Sequence, residues 1–324
     1  MKSEKGESSR TVLIVDALNL FMRHYIAHPA MNNNGESIGG IVGFLYAIVN
    51  FSEMYKPKEI IIVWEGGGSS RRRSIYPDYK SKRRPERLNR QYEEIPDTVQ
   101  NRNYQITTLV EIFKHMPICQ IYVPDCEADD VIGYLSRYTY RNRRKVIISS
   151  DKDFYQLLDK NTIIYSPTWK KFVTEKEVIE KFQVSPQNFC LAKSICGDIS
   201  DNINGVPRAG FKSIASRFPQ LKEKECVTIS EIINVSHLTI ADGSKIKLFK
   251  NIVDCEDLIK RNWRLIYLDT SNLAEIQIRK ISYIIDTFAP SKNKMEAIRI
   301  LLKEGIQTFN IDRMFLSLTC IGTQ

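Results

Sequence analysis

Four short apolar runs, rich in β-branched residues, punctuate the first half of the chain: Thr11–Val15, Ile60–Trp64, Ile118–Val123 and Lys145–Ile148, with a fifth at Thr162–Tyr165. Their length and their near-continuous apolar character predict strands buried on both faces. Between them apolar residues return at helical spacing, over 38–54 (Ile41, Phe44, Leu45, Ile48, Phe51), 98–113 and 128–138. Strands alternating with helices predict an α/β fold, a mostly parallel central sheet with helices on both faces. From about residue 175 the pattern turns helical. Ser185-Pro186 reads as a helix start, an N-cap followed by proline, burying Phe189, Ala192 and Ile195 before a stop at Gly197. A second helix is expected from Gly210 to Phe218, and further helical stretches over 245–268 and 292–303. The expected organisation is a disordered tail over 1–10, an α/β core over 11–180 and a mainly helical region over 181–324.

Composition narrows the class. Of 324 residues 43% are hydrophobic, enough for a substantial core, and no apolar run reaches the roughly 18 residues of a membrane span. The polar first ten residues speak against a secretory signal, so no membrane association is expected. Seven scattered cysteines without a CxxC pair argue against a disulfide framework or zinc ribbon and predict a reducing, cytoplasmic setting. With four histidines and no ligand-spaced pairs, any metal must be held by oxygen, which favours magnesium or manganese. The three tryptophans are expected as core or partly buried anchors.

The net charge of +9 is concentrated. Residues 71–90 hold nine bases (Arg71, Arg72, Arg73, Lys80, Lys82, Arg83, Arg84, Arg87, Arg90) against Asp78 and Glu86, leaving only +2 for the other 304 residues. Tyr76 and Tyr79 are interleaved with these charges, a combination suited to gripping phosphates while stacking on bases.

The acids complement this patch. Asp16 closes the first predicted strand and Glu65 the second; Glu127, Asp129 and Asp130 follow the third, and Asp151 and Asp153 the fourth. One acid after a strand is ordinarily a helix N-cap. Four successive strands ending so would gather seven carboxylates at one sheet edge, where α/β folds bind ligands. Such a crowd repels itself unless cations neutralise it. Two divalent ions about 4 Å apart do so, and the same arrangement serves phosphodiester hydrolysis. Glu127 and Asp130 are three apart on one helical face, as are Asp198 and Asp201 in a later turn. After that turn, Gly205 to Lys212 leads into a helix and offers backbone N–H groups to a phosphate.

These motifs, VDALNL, Glu65-GGGSS-RR, YPDYKSKR, EADD, SSDKDF and GDISDNINGV, stand in the order of one family. Over about residues 11–270 the chain resembles the flap-endonuclease or 5′-nuclease superfamily. Within it the likeness is to bacteriophage 5′→3′ exonucleases, phage ribonuclease H and the 5′-nuclease domain of bacterial DNA polymerase I. The resemblance implies a PIN-like core, a basic arch at about 68–105, and a helix-three-turn-helix DNA-binding motif at about 186–218. It implies two Mg²⁺ ions, replaceable by Mn²⁺: one site from Asp16, Glu65, Glu127 and Asp129, the other around Asp130, Asp151, Asp153, Asp198 and Asp201. Lys80 and Arg83 match arch residues that assist at the scissile phosphate, and Tyr79 an aromatic that stacks on substrate. Lys193 matches a phosphate contact, while Arg71, Arg72, Arg73, Lys82 and Arg84 extend the nucleic-acid surface. The 205–212 turn, with Arg208 and Lys212, matches the duplex grip and its monovalent cation. The implied activity is that of a monomeric 5′→3′ exonuclease or flap endonuclease in a bacterial or phage-infected cytosol. Its implied substrates are DNA with a 5′ flap, nick or end and RNA·DNA hybrids, in the removal of primers or flaps, with replication proteins as partners. Two positions depart from the pattern: Glu65 stands where Asp is usual, and Arg208-Ala209 where Gly-Ile is usual.

Two other readings fit less of the chain. Asp151-x-Asp153 after a strand resembles a haloacid-dehalogenase-like phosphatase, but Tyr155 occupies the place of its small hydroxyl residue and three other acidic strand ends go unused. A non-catalytic, structure-specific DNA-binding protein would be expected to have lost carboxylates, and all nine positions are filled. Gly66-Gly67-Gly68 lacks the GK[ST] of a phosphate-binding loop.

Overall fold

Residues 11–82, 99–307 and 309–322 are described by the computed structural model. Apolar runs become strands where both faces are covered. β1 (Val12–Asp16), β2 (Glu59–Trp64), β3 (Cys119–Tyr122), β4 (Lys145–Ile148), β5 (Thr162–Ser166) and β6 (Lys171–Val173) form one sheet in the order β3-β2-β1-β4-β5-β6. All neighbours are parallel except β5 and β6. Because Val12 aligns with both Glu59 and Lys145, the carboxyl ends of the central strands finish level with one another. The acids that follow them therefore share one edge.

Alternate residues of each strand feed different cores. Leu13, Val15, Ile60, Ile62 and Trp64 pack under α1 (Ala17–Ala27), α2 (Gly39–Tyr55) and, beyond the short α3 (Ser70–Ile75), α4 (Val99–Lys114). Val12, Ile14, Ile61, Val63 and Ile121 pack on the other face against α5 (Ala128–Tyr134), where Val131 and Ile132 are buried. The helical region continues with α6 (Glu175–Phe182), α7 (Pro186–Cys196), α8 (Phe211–Arg217), α9 (Ile229–Ala241), α10 (Lys247–Asp254) and α11 (Glu256–Ile266). A third core of Leu191, Ile195, Ile214, Phe218, Ile232, Phe249 and Ile259 holds these together. Then α12 (Glu275–Asp286), α13 (Lys294–Lys303) and α14 (Ile311–Ser317) return to the sheet, Ile281 joining the second core and Ala297, Leu301 and Met314 the first.

The expected α7 starts at its Ser185 N-cap with Pro186 at the first position and ends at Gly197, and α8 runs between Gly210 and Phe218. Differences have local causes. The helix expected over 128–138 changes to a π-helical turn at Leu135–Thr139. The stretch over 245–268 is two helices, broken at Cys255, whose N–H bonds three carbonyls at the end of α10. The expected tail at 1–10 lies outside the described residues, as do Arg83, Arg84 and the part of the expected arch over 83–98.

Candidate active site

Each edge carboxylate is held by the chain segment that delivers it. Asp16 caps α1, accepting from Asn19 N at 3.2 Å, and its other oxygen accepts from Ser149 Oγ at 2.8 Å. Asp151 caps the 3₁₀ turn Lys152–Leu157 by accepting from Asp153 N at 2.8 Å. Glu65 reaches back to Gly68 N at 3.1 Å and across to Ala128 N at 3.3 Å. Asp198 and Ile203 exchange two backbone hydrogen bonds of 2.8 and 2.7 Å, closing a tight turn that presents Asp198 and Asp201. Gly205 makes the turn possible, since a Cβ there would lie 2.1 Å from Cys196 O at the end of α7.

The carboxylates fall into two groups that meet at Asp151. Asp153, Asp198 and Asp201 bring oxygens within 4.8 Å of one another, a set able to hold a metal ion. Asp16 is repelled by Asp151 and Glu65, Asp129 by Asp151, Asp16 and Glu127, and Asp153 by Asp151 and Asp198, so Asp151, expected in the second metal site, faces both groups. Burial raises Asp16 to about 7, with Asp151 and Glu65 adding to it against the bonds from Ser149 and Asn19. Burial and the same crowding push Asp129 well above the usual carboxylate range. Asp153 is likewise lifted to about 7 by burial, partly offset by Lys193. For Glu127, burial would raise the carboxyl, but Arg72 and Lys80 outweigh it and hold it below its ordinary value. Ionisation is thus resisted at Asp16 and Asp129, where neighbouring acids outnumber cations, and hard cations with oxygen preference fit this donor set.

Lys80 is brought to this centre. Its backbone has φ 58°, its N–H donates to Asp201 O at 2.9 Å, and its Nζ lies 2.8 Å from Glu127 Oε1 and 3.9 Å from Asp201 Oδ2. Arg71, Arg73, Lys82, Arg208 and Lys212 are exposed.

Four expectations are corrected. Arg72 is 1% exposed and faces inward from α3. It donates to Leu265 O at 2.8 Å, to Glu127 Oε2 at 3.2 Å and to both oxygens of Asp130, so it is no surface phosphate contact. Both oxygens of Asp130 are thus paired with Arg72, and Asp130 is not among the three carboxylates, Asp153, Asp198 and Asp201, that converge as the second metal group. Tyr79 is buried, with its hydroxyl donating to Glu127 at 3.0 Å, and cannot stack on substrate in this arrangement. Lys193, expected on the phosphate surface, is 8% exposed and pairs with Asp153 and, at 2.6 Å, Asp198.

One participant went unnoticed in the sequence: Ser149, the donor to Asp16, lies within SSDKDF, where only the acids drew attention.

Comparison with known proteins now becomes decisive: residues 11–183 match the 5′-3′ exonuclease N-terminal resolvase-like domain. The chain belongs to the 5′-3′ exonuclease family. A 5′-3′ exonuclease of Buchnera aphidicola subsp. Acyrthosiphon pisum is 33% identical over 62% of this chain and 68% of its own length. The flap endonuclease Xni of Shewanella oneidensis is 27% identical over 87% of this chain and 98% of its own. A crystal structure of the bacteriophage T5 D15 flap endonuclease, a pseudo-enzyme-product complex with DNA and metal ions, shares the fold with a TM-score of 0.67 and 22% identity. That match covers 86% of this chain and 98% of the phage protein. This 5′ nuclease therefore carries the expected α/β core and helical extension.

Proposed function

We propose that this 5′ nuclease hydrolyses phosphodiester bonds near the 5′ end of DNA carrying a flap, nick or free end, and of RNA in RNA·DNA hybrids, using two Mg²⁺ ions that Mn²⁺ can replace. Asp16, Glu65, Glu127, Asp129 and Asp151 would hold one ion, and Asp153, Asp198 and Asp201 the other. When bound, such ions supply Lewis-acid polarisation of the phosphate and neutralise the charge that develops on its oxygens. The remaining work falls to the chain. Ser149 and Asn19 hold Asp16 in place; Arg72 and Tyr79 hold Glu127. Lys80 brings a positive charge to the phosphate from the base of the arch, with Arg83 following three residues on. Lys193 outweighs burial at Asp198, holding it below its ordinary carboxylate value, and partly offsets the burial that raises Asp153. Arg71, Arg73, Lys82, Arg84, Arg208 and Lys212 grip the nucleic-acid backbone, and residues 181–324 contribute the duplex-binding region.

The observation that carries this reading is the pairing of two carboxylate groups, joined at Asp151, with Lys80 seated between Glu127 and Asp201. A 5′-labelled flap duplex incubated with Mg²⁺ or Mn²⁺ should release short 5′ products, and none in excess chelator. Asp153→Asn should abolish cleavage while preserving or tightening DNA binding, because it removes negative charge beside the phosphate. Metal-independent cleavage, or a fully active Asp153→Asn, would overturn the assignment.

A further inference from the structure

The sheet edge continues past β4 to the β5–β6 hairpin, whose tip, residues 167–170, stands beside the carboxylates. It is pinned there: Thr168 N donates to Ser150 Oγ at 3.1 Å, and Ser150 Oγ lies 3.0 Å from Ser166 Oγ. Ser150 immediately precedes Asp151. At the tip Trp169 is 41% exposed, more open than the core or partly buried anchor expected of it, whereas Trp64, at 7%, is core. Lys181 Nζ lies 4.6 Å from the Trp169 ring centroid and Lys171 Nζ 5.9 Å, both on exposed side chains. A hollow of about 300 Å³ opens between Trp169, Tyr155, Val178 and Phe182. The nearby acids are engaged elsewhere. Glu177 accepts from Thr174 N and Oγ1, and Glu180 pairs with Lys176 at 3.8 Å.

An exposed indole flanked by ammonium groups offers a plane for a base and charges for the phosphates on either side of it. We infer that the Trp169 hairpin is a second nucleic-acid contact, stacking an unpaired base on its indole while Lys171 and Lys181 hold adjacent phosphates. It lies across β1 and β4 from the basic segment that follows β2, so one strand can be held on both sides of the carboxylates. This inference rests on the nuclease reading and deepens it.

The test uses the full chain with a duplex bearing a single-stranded 5′ oligo-dT flap and a blunt duplex of the same sequence, in chelator for binding and in Mg²⁺ for cleavage. Flap binding should quench tryptophan emission, and Trp169→Phe should remove most of that quench. Trp169→Ala should weaken flap binding about five- to hundredfold, the range for loss of one stacked base, and raise KM more than it lowers kcat. The blunt duplex should be affected less. Lys171→Ala/Lys181→Ala, confined to exposed side chains, should lower the salt slope of flap binding by about one to two, which keeps the inference testable if Trp169→Ala folds poorly. Flap binding by Trp169→Ala within about twofold of wild type, or a quench that survives Trp169→Phe, would overturn the hairpin contact while leaving wild-type cleavage to uphold the nuclease. A wild type that neither binds nor cuts the flap would overturn both.

Discussion

Removing the Arg72 guanidinium would take from buried Asp130 the cation bonded to both its oxygens and leave buried Glu127 with Lys80 alone. The guanidinium makes four hydrogen bonds, one to Leu265 O, one to Glu127 and two to Asp130. Breaking a buried ion pair from one side costs about 3–5 kcal/mol, because the surviving charge has no partner and no water. Arg72→Met should therefore lower unfolding free energy by that amount in urea titrations, with a fall in Tm on the order of 10 °C. Asp130→Leu in the same chain should recover much of the loss, since an apolar pair of similar volume needs no compensation. Arg73→Met provides the contrast. Its exposed side chain should change stability by less than about 0.5 kcal/mol, while DNA binding weakens and the salt slope falls by about one. If Arg72→Met instead left stability within about 1 kcal/mol of wild type and weakened DNA binding as Arg73→Met does, the inward role of Arg72 would be refuted.

Two further outcomes follow from the site. Burial raises Asp16 to about 7, well above the ordinary aspartate value of about 3.9, so without metal the native state keeps a proton there that the unfolded chain has lost. Its contribution is present below the unfolded value and is lost as pH rises towards 7; relative to Asp16→Asn, the wild type should lose up to about 1.4 kcal/mol per pH unit between pH 5 and 6.5 in chelator. Parallel stability curves for the two proteins would contradict this. Arg208 sits at φ 70°, a region that favours glycine. Arg208→Gly should gain about 0.5–1 kcal/mol in denaturant yet weaken duplex binding and reduce its salt slope by about one. Unchanged binding would remove Arg208 from the duplex grip.

How much of this was legible in the sequence depended on how far apart the interacting residues lie. Buried parallel strands announce themselves as continuous apolar runs, and the acids at their ends need only the parallel order to be gathered. β6 did not announce itself: three residues, two of them exposed, carry no pattern. The basic segment read as uniform because its nine cations look alike. A six-residue helix nevertheless turns Arg72 away from Arg71 and Arg73, towards Asp130, 58 positions on, and Leu265, 193 positions on. Tyr79 and Lys193 were misjudged for the same reason: a polar residue beside a site reads as a substrate contact until its buried partner is known. Trp169 erred in the opposite direction, since a lone indole is usually core and only the hairpin brings it to the surface.

The abutment of Gly205 on Cys196 joins the end of α7, the turn bearing Asp198 and Asp201, and the 205–212 turn into one stiff piece. Asn202 Nδ2 ties the same piece to Asp78 O at 2.9 Å. The carboxylates of that turn and the chain leading to Lys80, whose N–H donates to Asp201 O, are thereby fastened to one another through the main chain, so that displacing either would carry the other with it.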